Sequence, residues 1–195
     1  MLALLRPALV SIGLFTLLLG LAYPLAITGA AQLMPRQAGG SLIREGGQVV
    51  GSELIGQAFA QPQYLHGRPS AAGADGYDAS ASSGSNLGPL NPDLAERVKE
   101  SAAALRAETG AARVPADAVT TSASGLDPHI SPAYAELQAP RIAAARGVAP
   151  EAVRAVIARH VEGPTFGFIG QPRVNVLMTN LALDAAFGGR QPPPR

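Results

Sequence analysis

Residues 7–34 read PALVSIGLFTLLLGLAYPLAITGAAQLM. Arg6 and Arg36 bracket the stretch, and no acidic or basic residue lies between them. A bilayer core needs about 20 apolar residues in helical form. Ala8 to Thr28 supplies them, through residues such as Leu9, Val10, Ile12, Leu14, Phe15, Leu21, Leu25 and Ile27. In lipid every backbone group must be bonded within the segment, so a helix is the single-segment solution. Pro24 removes one donor and predicts a bend near the far end of that helix. A cleaved secretory signal is the rival reading, since Gly29-Ala30-Ala31 offers small residues. Signal cores run about 7–15 residues. This block is longer, which favours a retained anchor. The expected fold is therefore α+β: one N-terminal transmembrane helix followed by a single small extracytoplasmic mixed α/β domain. The expected boundaries are a cytoplasmic N-terminus and anchor over residues 1–35, the soluble domain over 36–187, and an extended proline-rich tail over 188–195.

Orientation follows from Arg6 and the terminal amine, which the positive-inside rule keeps in the cytoplasm. Arg36 and Arg44 follow the span and reduce the contrast. Cysteine is absent, so no disulfide framework and no thiolate metal site exist. Net charge is +1 with the basic residues scattered. Nucleic acid needs a concentrated basic face, so it is not an expected partner. Aromatics make up 5% and tryptophan is absent, so the core must be aliphatic.

Beyond the anchor, residues 41–44, Glu45-Gly46-Gly47 and residues 48–50 read as a hairpin with a glycine turn. Ser52 to Phe59 has the spacing of a short helix, weakened by Gly56. Gly67 to Pro92 is dominated by Gly, Ala, Ser, Pro, Asp and Asn. A loop of that length is either disordered or functional. Asn91 and Pro92 supply a cap and a first-turn proline for a helix to Thr109, with Leu94, Val98, Ala102 and Leu105 as its apolar stripe. Asp93 and Arg97 are spaced for an ion pair on that helix. Ser131-Pro132 repeats the start signal. Pro140 predicts a kink or two short helices before Gly147. Pro150 opens another helix, and Thr165 to Ile169 reads as a strand. Arg173 to Phe187 has helical spacing, although alternation fits its first half nearly as well.

Several chemistries find no motif. No G-x-x-x-x-G-K-[ST] phosphate loop occurs, and Lys99 is the only lysine. The D-K-T-G phosphorylation motif is missing. The anchor carries no charged side chain to bind an ion at membrane depth. His66, His129 and His160 share no ligand spacing with one another. The enzyme alternative is serine chemistry, with Ser85 or Ser124 as nucleophile and His129 and Asp127 as base and orienter. G-x-S-x-G and S-x-x-K are both absent. Serines in such turns mostly bond their own backbone. In the anchor, Gly13, Thr16 and Gly20 line one helix face, where small residues allow close helix approach.

Residues 114–132 read VPADAVTTSASGLDPHISP. This stretch resembles the signature of the C subunits of the Kdp potassium-importing P-type ATPases, V-P-x-D-x-V-T-x-S-A-S-G-L-D-P-H-I-S-P. Further blocks follow the family's order: residues 51–57, Arg68-Pro69-Ser70-Ala71-Ala72, Ser85-Asn86-Leu87-Gly88-Pro89, residues 138–147, residues 170–177 and residues 180–184. Ser83, Leu90, Pro164 and Gln171 stand where the family usually has Gly, Thr, Arg and Glu. Ser83 thus gives up a permissive backbone position, and the last two changes remove a possible ion pair. The resemblance implies an accessory, non-catalytic subunit in a bacterial cytoplasmic (inner) membrane, with its domain outside the cytoplasm. Its implied partners are a channel-like potassium-translocating subunit, a P-type ATP-hydrolysing subunit, a small single-span subunit and the lipid bilayer. This chain would carry no cofactor of its own, while the complex handles ATP and potassium. The implied role is to stabilise the complex and raise the ATP affinity of the catalytic subunit. Candidate interface residues are Gly13, Thr16 and Gly20 in the anchor, and Arg68, Ser70, Ser85, Asn86, Asp127, His129, Arg173 and Asn175 in the domain. The alternative is a membrane-anchored periplasmic binding or serine-hydrolase domain.

Overall fold

The computed structural model describes residues 2–189, so most of the expected 188–195 tail lies outside the described residues. The chain divides into two compact units, one ending at Leu42 and the other starting at Ile43.

The first unit is helical. α1 (Leu2–Leu17) runs through a π turn (Leu18–Ala22) into α2 (Tyr23–Ala31), and a short α3 (Pro35–Ala38) follows. Ala3–Ala31 is 29 residues long with a mean hydropathy of 2.1, and none of its most apolar window is buried. At 1.5 Å per residue that is roughly 43 Å, more than the roughly 30 Å of bilayer hydrocarbon. The irregularity expected at Pro24 is the π turn. The Tyr23 N–H reaches back five residues to the Leu18 carbonyl. Widening the helix there makes room for the proline ring, which would otherwise press on the carbonyl four residues earlier.

In the second unit, β1 (Leu42–Glu45) and β2 (Gln48–Ser52) form the expected hairpin. Gly46 and Gly47 both take positive φ, 55° and 86°, which is the requirement of a type I′ turn. The helix expected over Ser52 to Phe59 does not form. Instead the chain makes one bridge, Ser52 to Ile55, and the Gly56 N–H donates to the Leu126 carbonyl at 2.8 Å. A Cβ on Gly56 would lie 2.7 Å from the Asp127 oxygen. Close docking on another loop has overridden a weak local preference.

α4 (Pro92–Thr109) begins and ends as its caps require: the Asn91 side chain accepts from Asp93 N–H, and Gly110 is left-handed. The Asp93–Arg97 pair is not made. Two nitrogens of Arg97 are instead shut away from solvent with no partner among the described residues, while Asp93 stays exposed. α5 (Pro132–Arg146) is one continuous helix through Pro140, not two short ones. Pro140 lies on its exposed face, so the Glu136 carbonyl that loses its helical donor stays on the solvent side. α6 (Pro150–Arg159) packs Val153, Val156 and Ile157 against α5.

Three short antiparallel strands complete the core in the order β3 (His129–Ile130), β5 (Arg173–Asn175), β4 (Val161–Glu162). His129 pairs with Asn175, and Glu162 with Arg173. β5 leads directly into α7 (Val176–Phe187), which resolves the double pattern of that segment into strand and then helix. The strand expected over Thr165 to Ile169 is a tight turn closed by one bridge. Phe166 and Gly167 take positive φ there, 54° and 82°. The core is aliphatic, with Leu65, Ala135, Ala139, Ile142, Val153, Val174 and Leu183 fully enclosed.

Candidate functional site

The site is built on a segment that has no strand of its own. Leu65 is buried and its backbone needs partners. Asn180 on α7 supplies both, accepting from the Leu65 N–H at 2.7 Å and donating to its carbonyl at 3.0 Å. Gln138 on α5 does the same for His66, at 2.8 and 3.1 Å. Two buried amide side chains thus replace a β-ladder. Burial, and then the charge of Arg141, push the His66 imidazole below its usual pKa.

Arg68 follows two residues later and is the staple of the 114–132 loop. Its guanidinium donates to the Thr120 carbonyl at 3.4 Å, the Thr121 carbonyl at 3.2 Å and the Asp127 carboxylate at 3.2 Å. Ser70 adds a second fastening: its Oγ donates to the Gly125 carbonyl at 2.7 Å and accepts from the Tyr77 N–H at 2.8 Å. The Tyr77 hydroxyl donates back to the Arg68 carbonyl. Burial, with Tyr134 and Asp127 nearby, raises that phenol to about 12. The Gly67–Pro92 region is therefore an ordered loop docked on the signature loop. Ser83 there sits outside the positive-φ residues, so its side chain brings no strain, and its N–H donates to the Ser124 carbonyl.

Within the signature, Asp127 accepts from the His129 N–H at 3.0 Å, a turn across Pro128. Burial works to raise the Asp127 carboxyl. Hydrogen bonds from the His129 side chain and backbone and the Arg68 charge outweigh it, and the net shift is downward. His129 Nδ1 is 3.5 Å from Asp127 and Nε2 is 3.9 Å from Glu162. Glu162 in turn holds Arg173 at 3.0 Å. The result is a ladder of charged and polar side chains, Arg68–Asp127–His129–Glu162–Arg173, drawn from four separate segments. All of these but Glu162 line an open cleft of about 530 Å³, completed by residues that include Asp117, Ser131 and Gln171.

Of the expected site residues, Arg68, Asp127, His129 and Arg173 meet at this cleft, with Ser70 fastening the loop behind it. Asn175 faces inward: it is buried, caps α7 through the Met178 N–H and donates to the Glu53 carbonyl at 2.8 Å. Ser85 and Asn86 do not line the cleft. Asn86 takes a positive φ of 54°, a conformation that asparagine tolerates best among side-chain-bearing residues. Gly13, Thr16 and Gly20 belong to the other unit, where a Cβ on Gly13 would meet nothing within 4 Å. Ser124 Oγ accepts from the Leu126 N–H and lies beside Ser122. Among the described residues no serine hydroxyl bonds to His129. Glu162, Asn180 and Gln138 escaped the residue-by-residue reading. The available signal for the two amides was a polar residue set into an otherwise apolar helix face.

These features define a class: a protein with one apolar helix long enough to cross a membrane and one small α+β domain, whose signature loop is stapled beside a charged cleft. The chain matches the family model "KdpC: K+-transporting ATPase, c chain" over residues 5–185. A protein named potassium-transporting ATPase KdpC subunit from Caulobacter vibrioides is 68% identical over 189 residues, covering 96% of this chain and 95% of its own. Namesakes from Beijerinckia indica and Variovorax paradoxus are 63% and 58% identical. They cover 96% and 95% of this chain, and 96% and 97% of their own. The chain belongs to the KdpC family, the c chains of potassium-transporting ATPases.

Proposed function

We propose that this chain is the accessory subunit of an ATP-driven potassium uptake pump and acts from outside the cytoplasm to hold the complex together. The observation that carries the reading is the charge ladder. It brings side chains from three motif blocks, Arg68, Asp127 with His129, and Arg173, to one accessible cleft, where the Ser131 hydroxyl donates to Asp117 at 2.9 Å and the Ser124 Oγ nearby accepts from the Leu126 N–H. Such a cleft is suited to recognising a partner rather than to bond making. Charged groups at a partner-facing surface set register and exclude wrong partners.

The proposed partners are the channel-like subunit, the ATP-hydrolysing subunit and the small single-span subunit. Any rise in ATP affinity of the catalytic subunit is indirect. With Arg6 inside, the domain after the apolar helix lies across the membrane from cytoplasmic ATP. Docking would bias a two-state element of the partner instead of touching nucleotide.

The test is a pull-down of the chain tagged at Arg195 from detergent-solubilised membranes of potassium-starved cells. Co-purification of two large membrane proteins with potassium-stimulated ATPase activity is expected. The Asp127→Asn/Glu162→Gln double variant should recover less of both. Recovery of the chain alone, where the pump is expressed and intact, would overturn the reading. Specific crosslinking of a photoactivatable ATP analogue to the domain, displaced by ATP, would overturn indirect coupling.

A further inference from the structure

β4 and β5 are joined by a ten-residue loop, Gly163 to Pro172, whose tip is Thr165-Phe166-Gly167-Phe168-Ile169. Phe166 is 84% exposed, Phe168 78% and Ile169 53%. In a chain with five phenylalanines, two stand side by side on one turn in solvent. The turn holds them there: Gly167 and Ile169 N–H groups close onto Pro164 and Thr165, and Thr165 N–H donates to the Ile169 carbonyl. Phe166 takes a left-handed φ to do so, a conformation unusual for a bulky side chain. The base of the loop is charged, with Glu162 and Arg173 paired across the strands at 3.0 Å. An apolar tip on a charged neck is the arrangement of a segment that enters a bilayer interface, rings among the upper acyl chains and charges at the headgroups.

We infer that this tip is a lipid-contacting wedge that seats the domain on the bilayer surface. Two observations select lipid over a protein partner. The first is connectivity. Only residues 32–41 join the long apolar helix to the β1–β2 hairpin, so a membrane-associated chain keeps this domain close to lipid. The second is area. Three side chains of this size expose roughly 400 Å², while a specific protein interface needs about 800 Å² on each partner. A tip this small is insufficient as an interface by itself, but adequate as a second contact for a domain already tethered. The inference requires membrane association alone, and holds whichever side of the bilayer the domain faces.

The chain contains no tryptophan, so one introduced indole reports its own surroundings. Phe168→Trp, with Phe166→Trp as a second probe and Leu90→Trp as an exposed control elsewhere in the domain, is made in the full chain. Each variant is reconstituted alone into phosphatidylcholine–phosphatidylglycerol vesicles. At 166 and 168 a blue-shifted emission is expected, quenched by lipids brominated high on the acyl chain and protected from aqueous iodide. At 90 the emission should stay that of indole in water. Iodide-quenched, bromolipid-insensitive emission at 166 and 168 overturns the inference. Equal bromolipid quenching at 90 overturns it too, because the indole would then be inserting by itself. Protection that appears only when the other pump subunits are added overturns it in favour of a protein contact. That last outcome leaves the accessory-subunit reading intact, so the two proposals fail separately.

Discussion

Replacing Asn180 with leucine removes the amide that satisfies Leu65 while keeping the same branched heavy-atom skeleton. Asn180 is 1% exposed and Leu65 is fully buried, so water cannot take over. Two backbone groups are orphaned, the donor now held at 2.7 Å and the acceptor at 3.0 Å. Each buried unsatisfied group costs about 1–3 kcal/mol, so the substitution should remove about 2–6 kcal/mol. That is a large part of the roughly 5–15 kcal/mol available to a domain. In a domain of this size it lowers Tm by about 4–24 °C, read by thermal unfolding of the full chain in detergent. Asn180→Asp separates hydrogen bonding from packing. At neutral pH its carboxylate faces the Leu65 carbonyl, which holds its folded pKa above the unfolded one. Its deficit should therefore shrink as pH falls toward 4, by at most about 1.4 kcal/mol per pH unit, because the protonated acid can accept and donate as the amide does. A leucine variant within about 2 °C of wild type, or an aspartate deficit that ignores pH, would refute the reasoning. The effect has functional reach, since Leu65 lies three residues before the Arg68 staple.

Gly125→Ala should destabilise by about 2–4 kcal/mol in urea unfolding. Its φ is 67°, and a Cβ would sit 2.6 Å from the Ser83 oxygen and 2.7 Å from the Ala72 nitrogen, both backbone atoms. Gly88→Ala, with nothing within 4 Å, should stay within about 0.5 kcal/mol of wild type in the same assay. Arg146→Met should lose about 3–5 kcal/mol, because it strands Asp184, now 2.7 Å from a guanidinium that is 3% exposed; adding Asp184→Leu should recover part of the loss in Tm. The Asp127 carboxyl is held below its ordinary 3.8, so its contribution is complete above that value and lost as pH falls through the folded value. Tm of Asp127→Asn should consequently fall less than that of wild type between pH 6 and pH 3.

Local chemistry was enough to read the long apolar helix, the β1–β2 turn, and the capped starts at Asn91 and Ser131. Each of these depends on a short run of residues whose backbone demands are met by their immediate neighbours. The motifs shared with the family singled out Arg68, Asp127, His129 and Arg173, and the fold brings these four to one cleft. Local chemistry was not enough where a distant segment competes. Gly56 abandons a helix because the Leu126 carbonyl is within reach. Pro140 is absorbed because it falls on an exposed face, and Thr165 to Ile169 curls because Gly167 permits the turn while no neighbouring strand pairs with it. The charge ladder likewise has no signature along the chain, since Glu162 reaches His129 and Arg173 only once β3, β5 and β4 are paired. Caps and turns act over a few residues, while a cleft is an agreement among segments far apart in sequence, and only tertiary packing sets which of them meet.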